Sequence, residues 1–190
     1  MYDVYSNAKK DAWRFTLGKS GQRKLYVVGL NPSTATKEKS DVTVAKVEGV
    51  ARKYEFDGFV MLNLYPVRSR DYNELPATED PAAFQENLVR IEQAISGEPS
   101  PVILAAWGQS IRARSYFIRA CLELFSRLEH YSTSWKHFGP LTRAGHPRHP
   151  SRLTYSWQLK PFDVARYEQL LRTYAAKTGQ ATLVAAGQAL

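Results

Sequence analysis

The first segment with a clear hydrophobic signature is Lys24-Leu25-Tyr26-Val27-Val28-Gly29-Leu30, a β-rich run stopped by Asn31-Pro32-Ser33. It predicts a buried strand. Upstream, residues 12–18 alternate apolar and polar positions, and Lys19-Ser20-Gly21-Gln22 supplies turn chemistry, so a hairpin leads into that strand. Downstream, Ser40-Asp41 caps a helix whose apolar positions Val44, Val47, Val50, Ala51 and Tyr54 recur at spacings of three and four, and Gly58 ends the connection. The same pattern then repeats. Phe59-Val60-Met61-Leu62-Asn63-Leu64-Tyr65 predicts a second buried strand closed by Pro66. Asp80-Pro81 opens a helix through Phe84, Leu88, Ile91 and Ile95, with proline in the first turn where its missing N–H is not needed. Residues 101–107 predict a third strand, and Gly108 leads into a helix from Gln109 to about Arg127.

Three strand-to-helix units imply an α/β fold with a central, mainly parallel sheet flanked by helices, a three-layer sandwich. Beyond them, Lys136-His137-Phe138 and Leu153-Thr154-Tyr155-Ser156-Trp157 predict short strands. A final helix from Asp163 to about Ala175 carries Val164, Tyr167, Leu170, Leu171 and Tyr174 on one face. The expected organisation is a single domain over residues 1–176 and a small, polar C-terminal tail over 177–190. At 190 residues the length suits one core.

Composition narrows the function. Lys and Arg number 26 against 18 Asp and Glu, a net charge of +8, and a basic balance favours a polyanionic partner. Cys121 stands alone and cannot form an intramolecular disulfide, and residues 1–13 hold no apolar run of signal-peptide length. The expected compartment is the cytoplasm. No apolar stretch approaches the ~20 residues of a membrane span. Gly18-Lys19-Ser20 resembles the end of a phosphate-binding loop, but the pattern needs glycine where Trp13 stands; no dinucleotide fingerprint, nucleophile elbow or Cys-x-x-Cys pair is present either.

In open α/β sheets reactive groups gather at the carboxyl ends of the strands. Asn31, Asn63 and Trp107-Gly108 occupy those positions here, and carboxamides there suit reading a base edge or holding a water. Asn-Pro-Ser is equally an ordinary turn. The stretch Gly145-His146-Pro147-Arg148-His149-Pro150-Ser151-Arg152-Leu153 is more distinctive. It holds two of the four histidines, and no acid occurs between Glu129 and Asp163. Prolines stiffen it, while His146, Arg148, His149 and Arg152 suit phosphate. A solvated basic loop is the plain alternative. No third ligand accompanies the two histidines, so no metal site is expected. Arg112, Arg114 and Arg119 read as a solvated helix face.

Taken in order, Val28-Gly29-Leu30-Asn31-Pro32-Ser33, Met61-Leu62-Asn63, Leu104-Ala105-Ala106-Trp107-Gly108 and His149-Pro150-Ser151-Arg152-Leu153 resemble the uracil-DNA glycosylase superfamily over roughly residues 25–155. The Leu-Asn-Pro-Ser-Thr-Ala and Gly-His-Pro-Arg-His-Pro blocks also resemble those of an uncharacterised bacterial domain family. The superfamily resemblance implies a monofunctional DNA-base N-glycosylase that extrudes a nucleotide and cleaves its base–sugar bond with water, without metal or organic cofactor. It implies a repair or defence role on DNA, acting as a monomer. It assigns Asn31 to positioning the attacking water and His149, or alternatively His146, to the charge developing on the base. Asn63 would read the base edge, with Tyr65 or Trp107 as stacking candidates. Ser33, Arg148, Ser151 and Arg152 would contact DNA, and Leu153 would be the wedge filling the gap left by the flipped base. Two alternatives remain open: a non-catalytic nucleic-acid binding module of the same fold, and a hydrolase or transferase of free nucleotides.

Overall fold

A computed structural model describes residues 1–178. Seven strands form one mixed sheet: β1 (Val4–Ala8), β2 (Trp13–Lys19), β3 (Lys24–Gly29), β4 (Gly58–Asn63), β5 (Val102–Ala105), β6 (Ser134–Phe138) and β7 (Leu159–Pro161). Their spatial order is β1-β2-β4-β3-β5-β6-β7. The central four strands are parallel; β2 joins β4, and β7 joins β6, antiparallel. Among the described residues four α-helices accompany the sheet: α1 (Val42–Lys53), α2 (Pro81–Ser96), α3 (Ser115–Leu128) and α4 (Val164–Lys177).

Strand alternation sends side chains to opposite faces, and the apolar runs supply both. Leu25, Val27, Phe59, Met61 and Leu104 meet Val44, Val47 and Val50 of α1 in one core cluster. Tyr26, Val28, Val60, Leu62 and Ile103 belong to the other, together with Phe84 and Ile91 of α2, Phe117 of α3 and Leu171 of α4. Asp41 caps α1 by accepting the Val44 N–H, Asp80 caps α2 through Ala82 and Ala83, and Asp163 caps α4 through Arg166. The chain leaves β3 towards β4 but later returns to β5 on the other side of β3. Strand order therefore reverses beside β3, the place where open sheets leave a crevice at their carboxyl ends.

Four expectations need correction. The hairpin of residues 12–18 is not formed with β3, because β4 lies between them; β2 pairs instead with β1 and β4. Gly18 permits this, since a Cβ there would strike the Phe59 carbonyl of β4. The single helix expected from Gln109 breaks into a 3-10 turn, Gln109–Ala113, and α3. Arg114, at the break, has extended backbone and donates to the carbonyls of Asn73, Leu75 and Pro76. Residues 153–157 form no strand. Lys46 holds the carbonyls of Ser151 and Leu153, and Lys53 those of Tyr155 and Trp157, so the loop is strapped to α1 instead of a ladder. Finally, α4 runs through Lys177, which the tail was expected to include; residues 179–190 lie outside the described residues. Among the described residues no helix is long and apolar enough to cross a membrane.

Candidate functional site

A cavity of about 380 Å3 opens at the reversal point, lined from three strand ends and the basic loop. It brings together Asn31 and Ser33 after β3, Asn63 at the end of β4, Trp107 after β5, and His149, Ser151 and Arg152 of the loop. Sequence-remote candidates thus share one crevice. A larger recess of about 700 Å3 runs along α3 and α4. Most of its charged groups are paired, Arg119 with Glu79 and Glu123, Arg127 with Glu92 and Arg172 with Glu168, and Glu129 stands apart from these pairs.

Asn63 is 2% exposed, and its Nδ2 is buried without a partner. An unsatisfied buried donor costs about 1–3 kcal/mol. The side chain fits because Gly29 faces it: a Cβ on Gly29 would lie 2.8 Å from Asn63 Oδ1. Asn87, fully buried on α2, fixes the backbone beneath by donating to the carbonyls of Asn63 (2.8 Å) and Leu64 (3.3 Å). Asn31 is held differently. Its Nδ2 donates to the carbonyls of Pro32 and Ser69, both at 3.1 Å, which leaves Oδ1 to accept.

His149 has a defined tautomer. Its Nδ1 lies 3.3 Å from the Ser151 backbone nitrogen, which can only donate, and 2.8 Å from Ser151 Oγ. Burial depresses its pKa, with Arg152 adding to that and Asp41 opposing it. The ring is therefore neutral at pH 7, with Nδ1 accepting and Nε2–H left as its free donor.

Several expected residues are placed elsewhere. His146 is 1% exposed and does not line the cavity. Trp107 Nε1–H donates to the Tyr167 hydroxyl (2.8 Å), which must then direct its proton to His146 Nδ1 (2.9 Å); burial holds the phenol protonated. His146 thus ties its loop to α4. Burial and Arg112 lower its pKa to about 4. Tyr65 is fully buried against Tyr116 and Phe117, and its hydroxyl accepts the Asp80 N–H, so it cannot stack on a base. Trp107 touches the cavity, but its indole packs among Phe125, Trp135 and Phe162. Arg148 donates to the Pro140 carbonyl and lies over Trp157, away from the lining. Leu153, 5% exposed, packs in the α1 cluster and is not presented as a wedge.

His146 makes stability pH-dependent. Its folded pKa of about 4 lies below the ordinary histidine value of 6.5, so the unfolded chain takes up the proton first as pH falls. Stability is complete above about pH 6.5 and declines towards pH 4, by about 3 kcal/mol from this residue. Urea midpoints from pH 8 to 4 are expected to fall less steeply in His146→Gln than in the wild type. His137 and His149 are shifted the same way and keep their own share.

Arg14, Asp41, Ser69, Arg70 and Tyr72 also line the cavity and were not anticipated. Asp41 was read solely as a helix cap, and it does serve as one: its carboxylate accepts from Val44 (2.9 Å) and Ala35 (3.2 Å). Asn87 had a visible signal, an amide on the apolar face of α2 between Ala83 and Ile91. An adjoining recess lined by Ser33, Thr34, Lys39, Ser40 and Arg70 gives the rim a hydroxyl-rich, basic character. Among the described residues no three His, Cys, Asp or Glu side chains stand together as a metal site.

Comparison with known proteins bears on the region that builds this cavity. No curated protein and no solved structure matches the chain. Residues 13–151 match DUF1643, a family described as a protein of unknown function. The match runs from β2 through the parallel strands to Ser151 and so takes in Asn31, Asn63 and His149, and the chain belongs to the DUF1643 family.

Proposed function

We propose that the cavity receives an extruded nucleobase and that the protein is a DNA-base N-glycosylase. The observation that carries this is the meeting of Asn31, Asn63 and His149 around one cavity, with the Asn63 amide donor buried and unpaired. In the proposed reaction the bond between base nitrogen and sugar carbon breaks heterolytically, and its electron pair leaves with the base. Asn63 Nδ2–H and the His149 Nε2–H donate to the base as negative charge develops, a form of stabilisation that contributes about 3–4 kcal/mol per donor. Water supplies the oxygen that bonds to the sugar carbon, oriented through Asn31 Oδ1. One water proton stays on the new hydroxyl and the other neutralises the departed base.

Among the described residues Asp41 is the one carboxylate in the lining, and two backbone N–H groups engage it. No free general base therefore faces the water, and turnover is slow in this scheme. Ser33, Ser151, Arg70 and Arg152 at the rim supply contacts for a phosphate backbone. The three-layer reading of the fold is supported by the two core clusters, one carrying α1 and the other α2, α3 and α4.

The test is release of free base from single strands and duplexes carrying uracil, thymine mismatches or hypermodified pyrimidines, in chelator. Release from at least one is expected. Normal DNA binding with no release from any of them replaces this reading with a binding module. The cavity volume exceeds what a pyrimidine ring requires, which favours, as a second reading, a hydrolase or transferase of free nucleotides. DNA binding should weaken by about 0.9 log units per phosphate contact for each log unit of salt, whereas a single-nucleotide ligand gives a shallow slope.

A further inference from the structure

Arg14 belongs to the cavity, yet the proposed chemistry does not use it. The side chain leaves β2 and is 2% exposed. Nη1 donates to the Ala35 carbonyl at 2.8 Å, while Nε is buried with no partner. Among the described residues Arg14 forms no ion pair. The two carboxylates whose charge reaches it are engaged elsewhere: Asp41 by the N–H groups of Val44 and Ala35, and Asp11 by Tyr5, Asn7 and Arg68. A second guanidinium, Arg68, converges on the same Ala35 carbonyl at 3.0 Å.

A buried charge without a counterion is costly, and a like charge beside it adds to the cost. Burial, with Arg68 as the next cause, lowers the Arg14 pKa to about 10, so the group still carries its charge at neutral pH. With Nη1 engaged, Nε and Nη2 form the free edge of the guanidinium, the edge that takes a carboxylate or phosphate through two parallel hydrogen bonds. Exposed Arg70 and Arg152 line the same cavity, and Thr43 brings the positive end of α1 to it. Three arginines thus face one carboxylate in the lining, and that carboxylate is occupied.

We propose that Arg14 forms an anion subsite inside the cavity, binding an anionic oxygen group, carboxylate or phosphate, carried by the base or nucleotide that enters. The inference rests on the cavity being the ligand site but does not require that a glycosidic bond be cut. It narrows the substrate class from any pyrimidine to one whose ring substituent or phosphate reaches the buried guanidinium.

The probes are inorganic phosphate, orotate, deoxyuridine and deoxyuridine 5′-monophosphate. In 15N-labelled wild-type protein the Arg14 Nε–H resonance, assigned by through-bond connectivity, should move on addition of phosphate and stay in place with deoxyuridine. Calorimetric titration of Arg14→Lys, which keeps the charge but loses the fork, should show at least about tenfold weaker binding of the preferred anion and unchanged binding of deoxyuridine. Loss confined to orotate places the anion on the base; loss confined to the monophosphate places it on the nucleotide phosphate. An Nε resonance unmoved by every anion overturns the subsite, and that measurement needs no variant to fold. So does equal affinity in folded wild type and Arg14→Lys. An Arg14 response without base release from any single strand or duplex retains the subsite and ends the glycosylase reading. Base release with no Arg14 response does the reverse.

Discussion

Asn63→Ala is expected to lower single-turnover base release by about a hundred- to a thousandfold, the scale on which loss of one preorganised donor to a developing anion is felt. The fold should survive. The substitution removes a buried amide whose Nδ2 satisfies nothing in the free protein, and the backbone contacts of this position belong to the β3–β4 ladder and to Asn87. A small change in melting temperature beside a large loss of rate is therefore the outcome that identifies a ligand-directed amide. Gly29→Ala provides an independent check, because its new Cβ, 2.8 Å from Asn63 Oδ1, displaces the amide without deleting it. Its rate should fall between those of wild type and Asn63→Ala. Unchanged release by Asn63→Ala would remove base-edge reading from this residue.

His149→Ala is expected to reduce the rate constant at saturating DNA by a similar factor, about a hundred- to a thousandfold, with little change in DNA affinity. A donor that strengthens only as charge builds on the leaving base acts on kcat, whereas a phosphate contact such as Arg152 acts on binding and on its salt dependence. Burial lowers the pKa of the ring, so the protonation-dependent change in the wild-type rate is expected at lower pH than for a histidine in water. Gel-shift affinities paired with single-turnover rates separate the two effects. His146→Gln, altering a ring that bonds Tyr167 and lies outside the lining, should leave kcat nearly unchanged and appear in the stability profile. Equal kinetic losses in the two variants would contradict their separation.

The central strands were legible because each is a short apolar run ended by Asn-Pro, Asn-Leu-Tyr-Pro or Trp-Gly, and their order in sequence predicted the carboxyl-end crevice. The partner of β2 was not legible. Alternation in residues 12–18 announces a strand but not its neighbour, and the choice turned on a backbone approach at Gly18. The final short strand was misplaced because a β-rich composition at 153–157 cannot reveal that Lys46 and Lys53, respectively 107 and 102 residues before Leu153 and Tyr155, take its carbonyls. At the site, residues next to a strand end and in the basic loop were found, and Arg14, Asp41 and Arg70, which reach in from elsewhere, were missed. Arg14 sits between Trp13 and Phe15 like any outward-facing polar residue, and only the packing of the Ala35 segment over it makes it internal. His146 and His149 look equivalent in the sequence; a three-residue offset in a proline-rich loop sends one to Tyr167 and the other to the cavity.

The straps from α1 to the 151–157 loop grip main-chain oxygens and ignore side-chain identity. Thr154 and Tyr155 can therefore be exchanged while the anchor points persist, so diversification of this segment is separated from its placement, whereas Ser151 also holds the His149 ring. A library randomised at those two positions, with Lys46 and Lys53 kept, should retain the wild-type melting temperature across most of its members, an unaltered scaffold beneath a changed surface.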